Sequence, residues 1–208
     1  MIDSAFENSA LLIIDVQNDF CPGGALAVPD GDSIIPVINS LCSKFRLVVA
    51  TQDWHPKGHI SFASTHPGKQ VYETIPWNND NDHQLLWQDH CVAGSFGSAF
   101  HPDLHTDLCS MIIRKGITAG MDSYSAFFEN DHSTTTGLSG YLKAQNISSL
   151  VLCGLATDYC IYYSALDAVK LGFTVSVLEK GVRGVNQPQG SVVSAIAEMK
   201  QQGIKFIQ

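Results

Sequence analysis

Four residues are positioned in the sequence to do chemistry together. Asp15 closes the apolar run Ala10–Val16, Asp53 follows the run Leu47–Thr51, and Lys115 follows Met111–Arg114. Cys160 comes shortly after Leu150–Cys153. An acid within a Leu, Ile and Val segment is costly to bury unless it is paired or sits at a mouth. A carboxylate that accepts a thiol proton, a lysine that balances the charge and the thiol itself make up a nucleophilic site. A structural Asp15–Lys115 ion pair and a small buried Cys160 are the plainer readings of the same residues.

The segment from Leu150 to Cys160 reads as strand, tight turn and helix start, with Thr157 or Asp158 as the N-cap. Cys160 is then expected in the first helical turn. Unpaired N–H groups and the positive helix end there favour a thiolate and suit an oxyanion.

A second group lies beside the first. Asp53 and His55 are two apart in an extended segment, so both side chains point to one side and can ligate one ion. His90, from the long loop, completes the set, and His59 is a further candidate. Carboxylate and neutral imidazole suit Zn²⁺, Fe²⁺ or Mn²⁺. Phe20, Trp87 and Tyr124 lie near these parts and suit the walls of a pocket for a flat ring.

The elements that must position these residues are short apolar runs that do not alternate, as strands buried on both faces of a parallel sheet do. Val175–Leu178 and a weaker run near Ile204–Ile207 complete the series. Helical patterns at Ser33–Lys44, after Thr157, and at Ser191–Gln202 separate them, with Gly172 stopping the second. Strand and helix in alternation predict an α/β sheet covered on both faces. The stretch from Asp53 to Cys109 breaks the rhythm, and a long ordered excursion is usually functional.

The chain has 208 residues, 45% hydrophobic and 15% charged, which predicts one domain over 1–208 with a sizeable core. A formal charge of −8 argues against nucleic acid or an anionic membrane as partner. No apolar run is long enough to span a bilayer. The start, with Asp3 and Glu7, lacks the pattern of a secretion signal, so a cytoplasmic protein is expected. Cysteines 21, 42, 91, 109, 153 and 160 show no C-x-x-C pair and read as reduced thiols.

Taken together, the motifs resemble the nicotinamidase/pyrazinamidase family of isochorismatase-like cysteine hydrolases. The opening segment Asp15 to Val28 (DVQNDFCPGGALAV) is similar to the family signature. So are DWHP from Asp53 with His59, WQDHCVAG from Trp87, FHPDL from Phe100, DSYSAF from Asp122, and GLATDYC ending at Cys160. The resemblance covers essentially the whole chain. It implies a three-layer α/β/α fold on a six-stranded parallel sheet with a long metal-binding insertion. It implies cleavage of nicotinamide, and of pyrazinamide, through a cysteine thioester in NAD salvage. It implies a triad of Asp15, Lys115 and Cys160, and an oxyanion hole from the N–H groups of Ala156 and Cys160 beside a cis peptide before Ala156. It implies one divalent metal, Zn²⁺ before Fe²⁺ or Mn²⁺, on Asp53, His55 and His90, with His59 direct or through water. Phe20, Trp87, Tyr124 and Leu155 are the implied substrate contacts, in a monomer or homo-oligomer. An amidohydrolase of the same fold acting on a carbamoyl or ureido substrate, and a domain that binds without turnover, are the rival readings.

Overall fold

The computed structural model describes residues 8–77 and 79–208, so Asp3 and Glu7 lie outside it. Its elements run β1 (Ser9–Ile14), α1 (Ile35–Cys42), β2 (Leu47–Asp53), β3 (Thr74–Trp77), β4 (Asn79–Leu85) and β5 (Met111–Lys115). They continue with α2 (Leu138–Ala144), β6 (Ser149–Leu155), α3 (Tyr162–Lys170), β7 (Thr174–Arg183), α4 (Ser191–Gln201) and β8 (Lys205–Ile207).

Six strands form one sheet in the order β5-β2-β1-β6-β7-β8, and every pairing in it is parallel. β1 is central and wholly buried. Its alternate residues serve opposite faces. Ala10, Leu12 and Ile14 join the core that holds Leu142 of α2, Ala165 and Ala168 of α3 and Met199 of α4. Leu11 and Ile13 join the other core, with Ile34, Ile35 and Ile38 at α1. Each buried Leu or Ile contributes about 1.5–3 kcal/mol, so the non-alternating apolar run is what a doubly covered strand requires.

From β1 the chain builds outward to β2 and β5 on one side and to β6, β7 and β8 on the other. The order of the strands therefore reverses at β1. The crevice outside the carboxyl ends of the strands at such a point is where ligands bind in open sheets. Among the described residues, no helix is long and apolar enough to cross a membrane.

The structure differs from the sequence expectation in three places. The first helix is shorter than Ser33–Lys44. It follows a 3₁₀ turn at Gly31–Ile34 and carries Pro36 in its first turn, where the missing N–H is not needed. The excursion after β2 contains an antiparallel hairpin, β3–β4. Helix α2 was not expected, because Gly140 in a short segment that follows a threonine run masks it.

Candidate active site

The carboxyl ends of four adjacent strands carry the acid, the cation and the thiol. Asp53 and Lys115 are the last residues of β2 and β5 and are register partners. Asp15 follows β1 with φ 50°, a left-handed turn that redirects the chain at the strand end. Cys160 lies in a wide π-helical turn, Thr157–Ile161, between β6 and α3.

Lys115 is fully buried and joins the group together. Its Nζ donates to Asp53 Oδ1 at 2.8 Å and to the Ser123 carbonyl at 2.8 Å. It lies 3.0 Å from Asp15 Oδ2 and 3.6 Å from Cys160 Sγ. Thr51 donates to Asp15 Oδ1 at 2.6 Å. The Asp15 carboxylate lies near enough to the thiol to act on it electrostatically.

The electrostatics follow from burial and from these partners. Burial raises the Asp15 carboxyl above its ordinary value of 3.8, even against the pull of Lys115. Burial also works against the Asp53 charge, but His55 and Lys115 outweigh it and hold Asp53 well below the usual range. For Lys115, Asp15 and Asp53 overcome burial and keep the ammonium charged.

Cys160 goes against the expectation from a helix start. Burial raises the thiol well above its usual value, and Lys115 offsets only part of that, while Asp15 and Asp53 add to it. The segment 157–161 is a π turn with no side-chain cap, so the simple helix-end argument does not apply. The resting group is a thiol whose proton has a carboxylate beside it, and general-base activation suits it better than a preformed thiolate.

Asp53, His55 and His90 meet beside this group. Asp53 Oδ2 is 3.1 Å from His55 Nε2 and 3.6 Å from His90 Nε2. These ligand atoms lie within 4.8 Å of one another, and all three residues are buried. His55 Nδ1 is bonded to the Gly116 carbonyl at 2.9 Å, and His90 Nδ1 to the Gln88 carbonyl at 2.8 Å. A carbonyl can only accept, so each Nδ1 carries a proton, and each Nε2 faces the Asp53 carboxylate, where the neutral ring would offer its lone pair to a metal. His55 Nε2 is buried with no hydrogen-bond partner. An orphaned buried nitrogen facing a carboxylate and a second imidazole fits a divalent transition metal.

His59 behaves differently. Its Nδ1 meets Ser61 Oγ at 2.8 Å and its Nε2 meets the Met121 carbonyl at 3.0 Å. Both nitrogens are engaged by protein groups, and His59 also stands with His55 and Asp122 in a second buried group whose ligand atoms lie within 4.8 Å of one another. Burial and the neighbouring His55 push His59 down to about 4, keeping it neutral.

A pocket opens over the thiol, with about 390 Å³ of empty space including its mouth. Phe20, Trp87, Tyr124 and Tyr159 give it aromatic walls, and Asp53, His90 and Cys160 reach it from below. Trp87 Nε1 donates to the Tyr124 hydroxyl at 3.0 Å, which fixes two of these rings relative to each other. Leu155 is the exception among the expected contacts. It is buried in the core, next to Gly31, and does not line the pocket. The peptide bond from Leu155 to Ala156 is cis, and Ala156 does line the pocket.

Sequence reasoning passed over Leu26, Asp122, Tyr159 and Val185 as pocket residues. Tyr159 and Asp122 both stood inside quoted motifs, so proximity to the motif residues was the available signal. Leu26 likewise stood inside the quoted opening segment, whereas Val185 reaches the pocket only through long-range folding. Asp158 is not the helix cap that the sequence suggests, since its carboxylate bonds to Val185 and Asn186 instead.

Comparison with known proteins agrees with this geometry. The isochorismatase domain matches residues 9–208. Nicotinamidases of Acinetobacter baylyi and Escherichia coli are 46% and 47% identical, over 96% and 93% of this chain and 92% of each relative. An Acinetobacter baumannii nicotinamidase–pyrazinamidase structure superposes with a TM-score of 0.93 at 52% identity, covering 97% of this chain and 96% of that one. An L. infantum protein solved with nicotinate gives 0.84 at 38% identity, over 100% and 96%. A pyrazinamidase of Pyrococcus horikoshii solved with zinc gives 0.78 at 38%, over 97% and 99%. The chain belongs to the isochorismatase family, among its nicotinamidases and pyrazinamidases.

Proposed function

We propose that this chain is a nicotinamidase, hydrolysing nicotinamide to nicotinate and ammonia in NAD salvage. The observation that carries the reading is the meeting of Asp15, Lys115 and the Cys160 thiol beneath an aromatic-walled pocket. The nicotinamidase relatives and the nicotinate bound to the L. infantum protein support the substrate.

Phe20 and Trp87 hold the flat ring, with the carboxamide toward Cys160. Asp15 takes the thiol proton as sulfur attacks the carboxamide carbon. The carbonyl electron pair moves onto oxygen, which the N–H groups of Ala156 and Cys160 receive. Such a donor contributes about 2.7–4 kcal/mol in related chemistry. The C–N bond then breaks, Asp15 returns its proton to the departing nitrogen, and ammonia leaves a thioester on Cys160. Asp15 next takes a proton from water, whose oxygen attacks the thioester carbon. The C–S bond breaks, sulfur recovers the proton from Asp15, and nicotinate is released. Lys115 stays charged throughout and keeps the two carboxylates together.

Asp53, His55 and His90 would hold one divalent metal, with Zn²⁺ favoured by the donor set and by the P. horikoshii structure, and Fe²⁺ or Mn²⁺ also suited. When bound there, the metal would supply a Lewis acid at the floor of the pocket. Pyrazinamide presents the same carboxamide on a similar ring and is the second substrate. Free thiols throughout the described chain suit the reducing cytoplasm.

The test is ammonia release from nicotinamide and pyrazinamide by protein loaded with Zn²⁺, Fe²⁺ or Mn²⁺ in turn. Turnover of a carbamoyl or ureido compound in preference to both would overturn the reading. So would ligand binding with no product from any loaded form.

A further inference from the structure

The residues just before the nucleophile have contacts that the reaction above does not use. Asp158 is 6% exposed, and its carboxylate serves the loop between β7 and α4. Oδ1 accepts from the Val185 N–H at 2.9 Å. Oδ2 accepts from the Asn186 N–H at 2.8 Å and from Ser191 Oγ at 2.6 Å. The Tyr159 hydroxyl donates to the Gln187 carbonyl in the same loop. Asn186 Oδ1 in turn accepts from the Gly190 N–H at 2.9 Å, closing the loop on itself.

Packing shows how closely the loop is held. A Cβ on Gly184 would lie 2.3 Å from Val192 Cγ2 and 3.0 Å from Asp158 Oδ1, so a larger residue there would have to displace one of these side chains. Val185, the next residue, lines the pocket. Tyr159 lines it too and meets Trp87 edge to face, with ring centroids 4.8 Å apart. The turn that carries Cys160 is thus tied by a buried carboxyl group to a separate segment that supplies a pocket wall.

We propose that Asp158 is a positioning residue that sets the Val185 wall against the turn of Cys160, and so fixes which substituted pyridine carboxamides fit the pocket. The inference rests on the nicotinamidase reading for its substrate class. The loop acts on the ring and not on the reacting bond, so its loosening raises KM and relaxes ring selectivity while kcat holds.

The experiment uses the full-length, metal-loaded protein with Asp158→Asn and Ser191→Ala. Hydrogen exchange is read over residues 184–190 without substrate. KM and kcat are read for nicotinamide and for its 5- and 6-methyl derivatives. A hydrogen bond to a charged group that is lost corresponds to about a tenfold effect or more. Asp158→Asn is therefore expected to speed exchange of the loop by about tenfold and to raise KM for nicotinamide several-fold, with kcat within about twofold. At least one methyl derivative should gain on nicotinamide in relative kcat/KM. Ser191→Ala removes one link of three and should give the same pattern more weakly, and it carries the test if Asp158→Asn does not fold. Unchanged exchange overturns the proposal. So does a fall in kcat with KM unmoved, which would make Asp158 a support of the nucleophile turn instead. Absence of nicotinamide turnover in the unmodified protein would sink the substrate reading, and the substrate-free exchange result tells that failure apart.

Discussion

Replacing Lys115 with methionine removes the ammonium that bridges two buried carboxylates. The side chain is fully buried, with Nζ 3.0 Å from Asp15 Oδ2 and 2.8 Å from Asp53 Oδ1. Methionine fills much of the same volume, so the loss is electrostatic and not a cavity. Breaking one buried pair costs about 3–5 kcal/mol, because the remaining charge has no partner. Here two charges are left facing each other, and they relieve the strain by taking up protons. Lys115→Met is therefore expected to lose about 3–5 kcal/mol at neutral pH. Asp15→Asn combined with Lys115→Met removes one of the stranded charges. The double variant should be more stable than the sum of the single losses predicts, by about 1–3 kcal/mol of coupling. Urea unfolding of all four proteins, compared at constant m, measures both quantities. A single-variant loss under about 1 kcal/mol, or strict additivity, would refute the claim that Lys115 neutralises this pair.

Two further outcomes follow from the same geometry. Gly116 has φ 63°, and a Cβ there would lie 2.4 Å from His55 Cε1, so Gly116→Ala should displace the ring and lower the metal content of the purified protein. Elemental analysis reads this directly, and unchanged stoichiometry would contradict the assignment of His55 as a ligand. Asp15 must be ionised to accept the thiol proton, and burial raises it above 3.8. Activity is then present above that raised value and lost as the pH falls through it. The acid limb of kcat/KM should lie above the ordinary aspartate value, move in Thr51→Val, which removes the 2.6 Å bond to Asp15, and be missed only if another group is the base.

Much of this site was legible in the sequence because a parallel α/β sheet delivers residues to one edge. Asp15, Asp53 and Lys115 each end an apolar run, and the runs are strands whose ends adjoin in the sheet. The i, i+2 spacing of Asp53 and His55 likewise carried over into a shared site. What the sequence hid depends on distant contacts. The contacts of His59 with Ser61, the Met121 carbonyl and Asp122 are of this kind, since its spacing to Asp53 shows none of them. Cys160 looks like a helix-start thiolate, but burial beside two carboxylates raises it. Asp158 looks like a cap, yet its partners lie beyond β7. Local pattern tells which residues reach the mouth, and only the fold tells which of their polar atoms remain free.

The most direct test of the whole account is rapid acid quenching of the enzyme during nicotinamide turnover, followed by peptide mass spectrometry. A nicotinoyl thioester is expected on the peptide bearing Cys160, absent in Cys160→Ala, which keeps its fold but releases no ammonia. An adduct on Cys21, Cys91 or Cys153, or full turnover by Cys160→Ala, would contradict it.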